Sequence, residues 1–417
     1  MAPALSERCD AADGLAVGAL PGFRPRLVAE NAGRGPGLSG EALIAAVEAA
    51  GLRGRGGAGF PAAVKLAALR AAAGPKYLVA NGEEGEPASI KDRWLMRRRP
   101  HLVVEGALRA AQTMGAVEGF LYVSDADSAA SLRRALEERA ATGIPVTVFE
   151  VAPGYVAGEE TAVVRALNGG PAKPTDKPPR PWQSGVRACP TLVSNVETLA
   201  NIALIARQCS GGDSRLLTMT GAVERPGLYE VPLGTRLGEA LDRLAGPLPG
   251  MRGVLMGGFF AGLLNRRALD LTLTHDALRE AGSGLGCGAI IVIGEDDCPI
   301  AAAGDVMAYF ARENAGQCGA CFRGTPAMSR AIEALGLGTI DDAGLAKLQD
   351  WSVSLRGRGA CGTLDGAAQL AATIFREFPD EVDRHRAGPC PRCRALLPAG
   401  ATTRFRAGRQ RHCVAAT

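Results

Sequence analysis

The alternation of short apolar strands and amphipathic helices between residues 76 and 151 constrains this chain more than any other feature. Lys76–Ala80, Gly119–Ser124 and Val146–Val151 read as strands, and His101–Met114 and Ala129–Ala141 as helices. A β-α-β-α-β order predicts an α/β fold with a mostly parallel sheet and covering helices. The first strand runs straight into the loop NGEEGEP, residues 81–87. That is where α/β folds place ligands, outside the carboxyl ends of the strands. Asn81 offers a donor and an acceptor to the edge of a flat heterocycle. Glu83, Glu84 and Glu86 are costly to gather unless they bind something, although an acidic surface turn has the same spelling.

Upstream stands GLRGRGGAGFP, residues 51–61, in which five of eleven residues are glycine. Glycine permits positive φ and a close backbone approach to a ligand. Successive N–H groups make a concave anion site, and Arg53 and Arg55 add charge. Phe60 offers a flat ring for stacking. Gly54-x-Gly56-x-x-Gly59 also matches the dinucleotide fingerprint, but that fingerprint needs a preceding strand. Residues 39–50 place Leu43, Ile44, Ala46, Val47 and Ala50 at helical spacing, which argues against an ordinary Rossmann site. A helix over Pro61–Ala73 follows, from which Lys65 can reach back to the cradle.

Further along, GYVAGEET, residues 154–161, opens a helix that stops at Gly169 and Gly170. Glu159 and Glu160 there either complement the helix dipole or hydrogen-bond ribose hydroxyls. Residues 171–190 form a proline-rich crossing. Ser194-Asn195-Val196-Glu197 fits a capping box for a helix reaching Gln208.

From Leu216 the pattern becomes short strands and tight turns around one helix, Leu237–Ala245, ending near His275. Gly253–Leu264 is too short and glycine-rich for a membrane span and reads as a strand pair or turn. After Ala302 the chain turns helical, over 304–313, 325–335, 341–354 and 367–378, and the loops carry Cys318-x-x-Cys321 and Cys361. Cys390-x-x-Cys393, His412 and Cys413 lie in an Arg-rich tail with little to pack. The pair there is half of a zinc site, without the spacing for the other half. A net charge of +4 is too small and dispersed for nucleic acid. The first residues lack a secretory leader, so the eleven cysteines read as reduced thiols or metal ligands.

GRGGAGFP (54–61), the segment from Asn81 to Arg93, GEET (158–161) and NVET (195–198) occur in the order and spacing of one family. Over roughly residues 39–385 the chain resembles the NADH-binding flavoprotein subunit of respiratory complex I. The same family includes the diaphorase subunits of NAD-dependent hydrogenases and formate dehydrogenases. The resemblance implies a Rossmann-like FMN-binding α/β domain, a small β-grasp module of the soluble-ligand-binding type, and a C-terminal helical bundle with an iron–sulfur motif. The expected divisions are an extended 1–38, the FMN/NADH domain 39–208, the β-grasp module 214–276, a connecting strand segment 277–300, the bundle 301–386 and the tail 387–417. FMN is expected on Gly54, Arg55, Gly56, Gly57, Lys65, Asn81, Glu83, Glu84, Tyr155, Gly158, Glu159, Ser194, Asn195 and Thr198. NAD(H) is expected to stack on the flavin near Phe60, Glu86 and Glu160. The implied reaction is hydride transfer from NADH to FMN, then single electrons to an iron–sulfur centre or partner. No acid–base residue is required for the hydride step. The implied partner is a small thioredoxin-like [2Fe–2S] subunit, and the implied location is cytoplasmic, peripheral to a membrane through partners.

The sequence departs from the family at a few places. The expected Cys-x-x-Cys-x-x-Cys begins with Ala315, leaving Cys318, Cys321 and Cys361 for a cluster that usually takes four thiolates. Three cysteines plus another ligand, recruitment of Cys390, Cys393 or Cys413, and no cluster at all are the open outcomes. Aromatic residues expected near adenine are Ala68 and Arg180 here, an aspartate is Glu83, and an asparagine is Ser194. Ala68, Arg180 and Ala315 favour an accessory FMN protein with weakened NADH oxidation. The complete cradle and both acidic motifs favour an NADH dehydrogenase.

Overall fold

The computed structural model describes residues 8–10, 15–29, 37–139, 143–209 and 211–396. The chain opens with β1 (Arg8–Asp10), β2 (Leu15–Ala19), α1 (Gly40–Ala49) and α2 (Ala62–Ala71). The α/β unit continues through β3 (Tyr77–Asn81), α3 (Lys91–Arg98), α4 (Pro100–Met114), β4 (Glu118–Val123), α5 (Ala126–Glu137), β5 (Val146–Glu150), α6 (Glu160–Leu167), β6 (Thr191–Asn195) and α7 (Val196–Ala206). Next come β7 (Ser214–Gly221), β8 (Gly227–Pro232), α8 (Leu237–Ala240), β9 (Gly253–Met256), β10 (Leu263–Asn265), α9 (His275–Glu280) and β11 (Ala289–Ile293). The rest is helical: α10 (Pro299–Glu313), α11 (Gly319–Gly336), α12 (Asp342–Ser354), α13 (Thr363–Glu377), α14 (Pro379–Ala387) and α15 (Pro391–Leu396).

Four strands form a wholly parallel sheet in the order β5-β4-β3-β6. Leu78, Val79, Ala80, Leu121, Tyr122 and Val123 are buried, as expected for parallel strands covered on both faces. The chain builds outward from β3 to β5, then returns to the other side of β3 with β6. The topological switch point therefore lies between β3 and β6, whose last residues, Asn81 and Asn195, are register partners.

Two elements here escape the sequence pattern. The strand β6 follows a proline-rich run and ends in residues that also start a helix. The N-cap of α7 is Asn195, not Ser194: its Oδ1 accepts the Glu197 N–H at 3.0 Å. Helix α3 shows no apolar stripe in the sequence because Lys91 and Asp92 lie on its buried side with Leu95 and Met96.

The second sheet has seven strands in the order β1-β2-β8-β7-β11-β9-β10. It draws in the N-terminal segment expected to be merely extended, because β2 pairs in parallel with β8. It also takes β11, from the expected connecting segment, as an inner strand, parallel to β7 and antiparallel to β9. The bundle begins at Pro299, directly after the sheet, with proline in the first turn of α10 where its missing N–H costs nothing. The segment after residue 386 packs, contrary to expectation: α15 forms, and Cys390 and Cys393 are buried in the bundle core. His412 and Cys413 lie outside the described residues.

Candidate functional site

Three loops meet at the switch point. The glycine loop is closed at its ends by an antiparallel bridge between Arg53 and Pro61, with the Gly54 N–H donating to the Phe60 carbonyl at 2.9 Å. Its middle is tied to α7 by the Arg55 N–H, which donates to Thr198 Oγ1 at 2.9 Å. Gly56 lies over Asn195, whose Cβ would be 3.3 Å from an added methyl. Gly57 and Gly59 take φ of +126° and +62°, which only glycine adopts freely. Helix α2 starts immediately after this loop, its Ala62 N–H donating to the Leu52 carbonyl at 2.9 Å, and its Lys65 reaches back over Phe60.

The second loop leaves β3 and the third precedes α6. Asn81 joins them, with Nδ2 donating to the Gly158 carbonyl at 2.8 Å and Oδ1 accepting the Glu83 N–H at 3.3 Å. The Tyr122 hydroxyl donates to the Ala157 carbonyl at 3.1 Å. Gly158 has no space for a side chain, since a Cβ would come within 2.7 Å of Glu83 Oε2. At the centre sits Glu83, 7% exposed. Its Oε1 accepts from Ser124 and from the Gly154 N–H, both at 3.4 Å, while Oε2 is buried without a hydrogen-bond partner. Burial pushes its carboxyl up to about 7, Glu84 adds to the rise, and the Gly154 N–H opposes it.

A fan of cations surrounds Glu160. Lys65 Nζ lies 4.0 Å, Lys177 Nζ 3.7 Å and Arg180 Nη1 3.5 Å from its carboxylate. Lys65 also lies over the Phe60 ring at 5.8 Å. Phe60 is 47% exposed and free to stack. A cavity of about 1000 Å³ continues from Lys177 and Arg180 to Arg165, Arg358, Cys318 and Cys361.

Several expected ligand residues hold the scaffold instead. The Arg55 guanidinium does not charge the cradle; it is buried and donates to the Gly212 and Ser214 carbonyls at 3.0 and 2.9 Å. Thr198 is consumed by Arg55. Glu84 accepts from Ser89 Oγ and from the Asp92 and Arg93 N–H groups, so it staples the loop to α3. Glu86 is bound to the Phe259 and Ala88 N–H groups. Glu159 caps α6 and pairs with Lys177 at 2.6 Å. Tyr155 packs edge-on against Tyr309 and Phe310, joining the α/β unit to the bundle. Asn195 turns its amide away from the cradle, donating to Asp92 at 2.7 Å and accepting from Lys91 at 3.2 Å.

Other residues enter the site without a sequence signal of their own. Lys91, 1% exposed, pairs with Asp92 at 2.7 Å and with the fully buried Glu197 at 3.0 Å. His275, which only marked the end of a module, presses against Gly59, where an added Cβ would meet its ring at 2.6 Å. Burial and the Arg215, Arg55 and Arg53 charges hold that imidazole down at about 4, so it is neutral. Lys177 stands in the proline-rich crossing, where no periodicity singles it out.

The three cysteines of the iron–sulfur motif also gather. Cys318 is the N-cap of α11, Cys321 lies in its first turn and Cys361 just precedes α13. Burial pushes the Cys321 thiol up to about 12, with Cys361 and Cys318 adding to the rise. Ala315 is buried and its carbonyl is held by Lys173 at 2.9 Å. The set offers three thiols where a cluster usually takes four, and residue 315 cannot supply the fourth. Cys390 and Cys393 do not fill it, because they pack against Cys298 and His385 instead.

Comparison with known proteins agrees with this geometry. Residues 47–204 match a family model described as the Nuo51 FMN-binding domain, and residues 301–385 one described as the NADH-ubiquinone oxidoreductase-F iron–sulfur binding region. Residues 216–257 match an SLBB domain. An F subunit of the NADH-quinone oxidoreductase of Rhizobium meliloti is 33% identical over 372 residues, covering 82% of this chain and 88% of its own length. The F subunit of the Mycobacterium tuberculosis H37Rv enzyme is 34% identical over 382 residues, covering 84% and 86%. The crystal structure of an NAD+-reducing [NiFe]-hydrogenase in the H2-reduced state matches with a TM-score of 0.74 and 29% identity. That match covers 84% of this chain, which spans 63% of the hydrogenase chain.

Proposed function

The chain belongs to the family of NADH-quinone oxidoreductase F subunits, and from that membership we propose that the three loops at its switch point hold FMN and present it to NADH. The protein is an FMN-dependent NADH oxidoreductase subunit. FMN held there would supply the hydride acceptor for NADH and the one-electron chemistry toward an iron–sulfur centre or partner. The observation that carries the assignment of residues is the buried Glu83 carboxyl, whose Oε2 has no hydrogen-bond partner and lies beside Gly158, where a side chain would collide with it. FMN fits this chemistry. With the Gly54 and Arg55 N–H groups already donated to Phe60 and Thr198, the N–H groups of Gly56 and Gly57 together with Lys65 would take its phosphate. Glu83, Gly158 and the edge of β6 at Ser194 would border its polyol and ring.

NADH would stack beside Phe60, with Glu160 meeting its hydroxyls and Lys177 its phosphates. Arg180, 3.5 Å from Glu160, offers a planar cation where the family carries an aromatic ring. Orienting the two rings against each other would be the protein's share of hydride transfer. The accessory-flavoprotein reading rests on Ala68, Arg180 and Ala315; Arg180 stands beside Glu160, and the Ala315 carbonyl is held by Lys173 in the iron–sulfur motif.

Its relatives are subunits of multi-subunit enzymes, and the chain functions in an assembly of that kind. We propose a small thioredoxin-like [2Fe–2S] subunit as the direct partner, to be tested by co-purification. Among the described residues no helix is long and apolar enough to cross a membrane. A cytoplasmic location at a membrane-bound assembly is part of the same proposal.

The deciding experiment is an oxygen-free visible spectrum before and after NADH. Bleaching of the flavin bands, slowed in Glu160→Gln, is expected. Flavin that stays yellow in NADH would overturn the dehydrogenase and leave the accessory flavoprotein.

A further inference from the structure

A second cysteine cluster, built from residues outside the flavin loops and the iron–sulfur motif, plays no part in the chemistry of either. Cys298 Sγ is 3.4 Å from His385 Nε2 and 3.4 Å from Cys393 Sγ, and His385 Nε2 is 3.3 Å from Cys393 Sγ. Cys390 completes the group, and all four ligand atoms lie within 4.8 Å of one another. All four residues are buried. We propose that Cys298, His385, Cys390 and Cys393 bind one zinc ion that fastens the C-terminal helices to the head of α10.

The spacing argues for a single ion. Tetrahedral zinc, with bonds of about 2.3 Å to sulfur and about 2.0 Å to nitrogen, sets its ligand atoms roughly 3.5–3.8 Å apart. The observed edges are close to that, and four atoms so near each other leave no room for a four-iron cube. The tautomer argues for it too. His385 Nδ1 lies 2.6 Å from the Glu381 carbonyl. A carbonyl only accepts, so Nδ1 is the donor, and a neutral ring then points its Nε2 lone pair at the three sulfurs. Metal-bound histidines are oriented in this way by the partner of their other nitrogen. Without an ion the cluster buries three thiols, which are weak hydrogen-bonding groups, around one imidazole.

The position explains what such an ion does. Cys298 is the N-cap of α10, 87 residues from His385 and 95 from Cys393. The helix α15, only six residues long, is too short to persist alone. Three sulfurs and one nitrogen with no open position make a structural site, not a catalytic one. The pair Cys390-x-x-Cys393 signals half of it in the sequence. The partners are Cys298 and His385, where the tail had offered His412 and Cys413.

The test is elemental analysis of the full-length protein, independent of NADH oxidation, so its failure leaves the flavoprotein assignment intact. About one zinc per chain is expected, with three sulfurs and one nitrogen in its X-ray absorption spectrum. Cys393→Ser should lose most of that zinc, whereas Cys318→Ser should keep it and lose only iron. If Cys393→Ser fails to fold, zinc stripped from the native protein by a chelator and replaced by cobalt(II) should give the intense visible bands of tetrahedral thiolate coordination. Wild-type protein without zinc, zinc retained in folded Cys393→Ser, iron in its place, or a Cys298–Cys393 disulfide by mass spectrometry would each overturn the proposal.

Discussion

At the residue scale, Glu83 shows how placement sets chemistry. Its carboxyl and that of Glu86 are both pushed up to about 7, chiefly by burial. A group whose folded value exceeds its unfolded one gives stability that is complete below about pH 4.5 and lost as pH rises through about 7. The ligand-free protein should therefore become easier to unfold in urea between about pH 5 and about pH 7.5. Glu83→Gln should flatten part of that fall, and an unchanged slope would mean that water reaches the carboxyl. Ala315 makes the opposite point, that one absent sulfur limits a site otherwise assembled. Ala315→Cys should raise the iron bound per chain and sharpen the cluster's electron spin resonance signal after reduction. Equal iron in both proteins would show that a non-cysteine ligand already completes the wild-type cluster.

At the scale of elements, the sheet's ligand edge depends on how closely α4 and α7 approach. Gly106 of α4 faces the backbone of α7, where an added Cβ would lie 1.8 Å from the Leu199 carbonyl oxygen. A backbone atom in a packed helix cannot swing aside. Gly106→Ala should cost roughly 3 kcal/mol or more, read as a lowered thermal midpoint, and α7 would shift together with Asn195 at its head. Gly319→Ala is the comparison, since the first turn of α11 has open space around it. That change should stay within about 0.5 kcal/mol. A mild Gly106→Ala would mean that the two helices slide apart cheaply.

At the scale of the whole molecule, the parallel sheet and the seven-stranded sheet are joined by buried charge. Glu197 meets Lys91 at 3.0 Å and accepts the Leu216 N–H of β7 at 3.0 Å. Burial pushes Glu197 upward, and Lys91, Arg55 and Arg215 more than reverse this, so it stays ionised. Glu197→Gln would leave those cations under-compensated in a dry joint, at a cost of about 3–5 kcal/mol. Denaturant midpoints with and without FMN would measure it, and FMN affinity should fall with stability because Arg55 anchors the cradle. A cost under about 1 kcal/mol would mean that the two sheets hold together without the network.

The parallel α/β core, the glycine cradle, the acidic loop after β3 and the incomplete cysteine motif are legible along the chain. Each of these is local. Strand and helix periods follow from side-chain alternation, and positive φ at Gly57 and Gly59 needs glycine wherever the loop lies. What each polar group does depends on the partners that packing brings to it. Arg55, Glu84 and Thr198 look like ligands in a list of residues, yet their partners, Ser214, Asp92 and the cradle backbone, turn them into scaffold. Helix α3 and strand β6 were hidden because their buried faces carry charge or abut proline, which defeats hydrophobic period. The N-terminal strands and β11 joined one sheet through pairings that no local pattern encodes. Cys298 and His385, 87 residues apart, became neighbours only when α14 folded back onto the head of α10, since sequence spacing carries no information about contacts closed by packing.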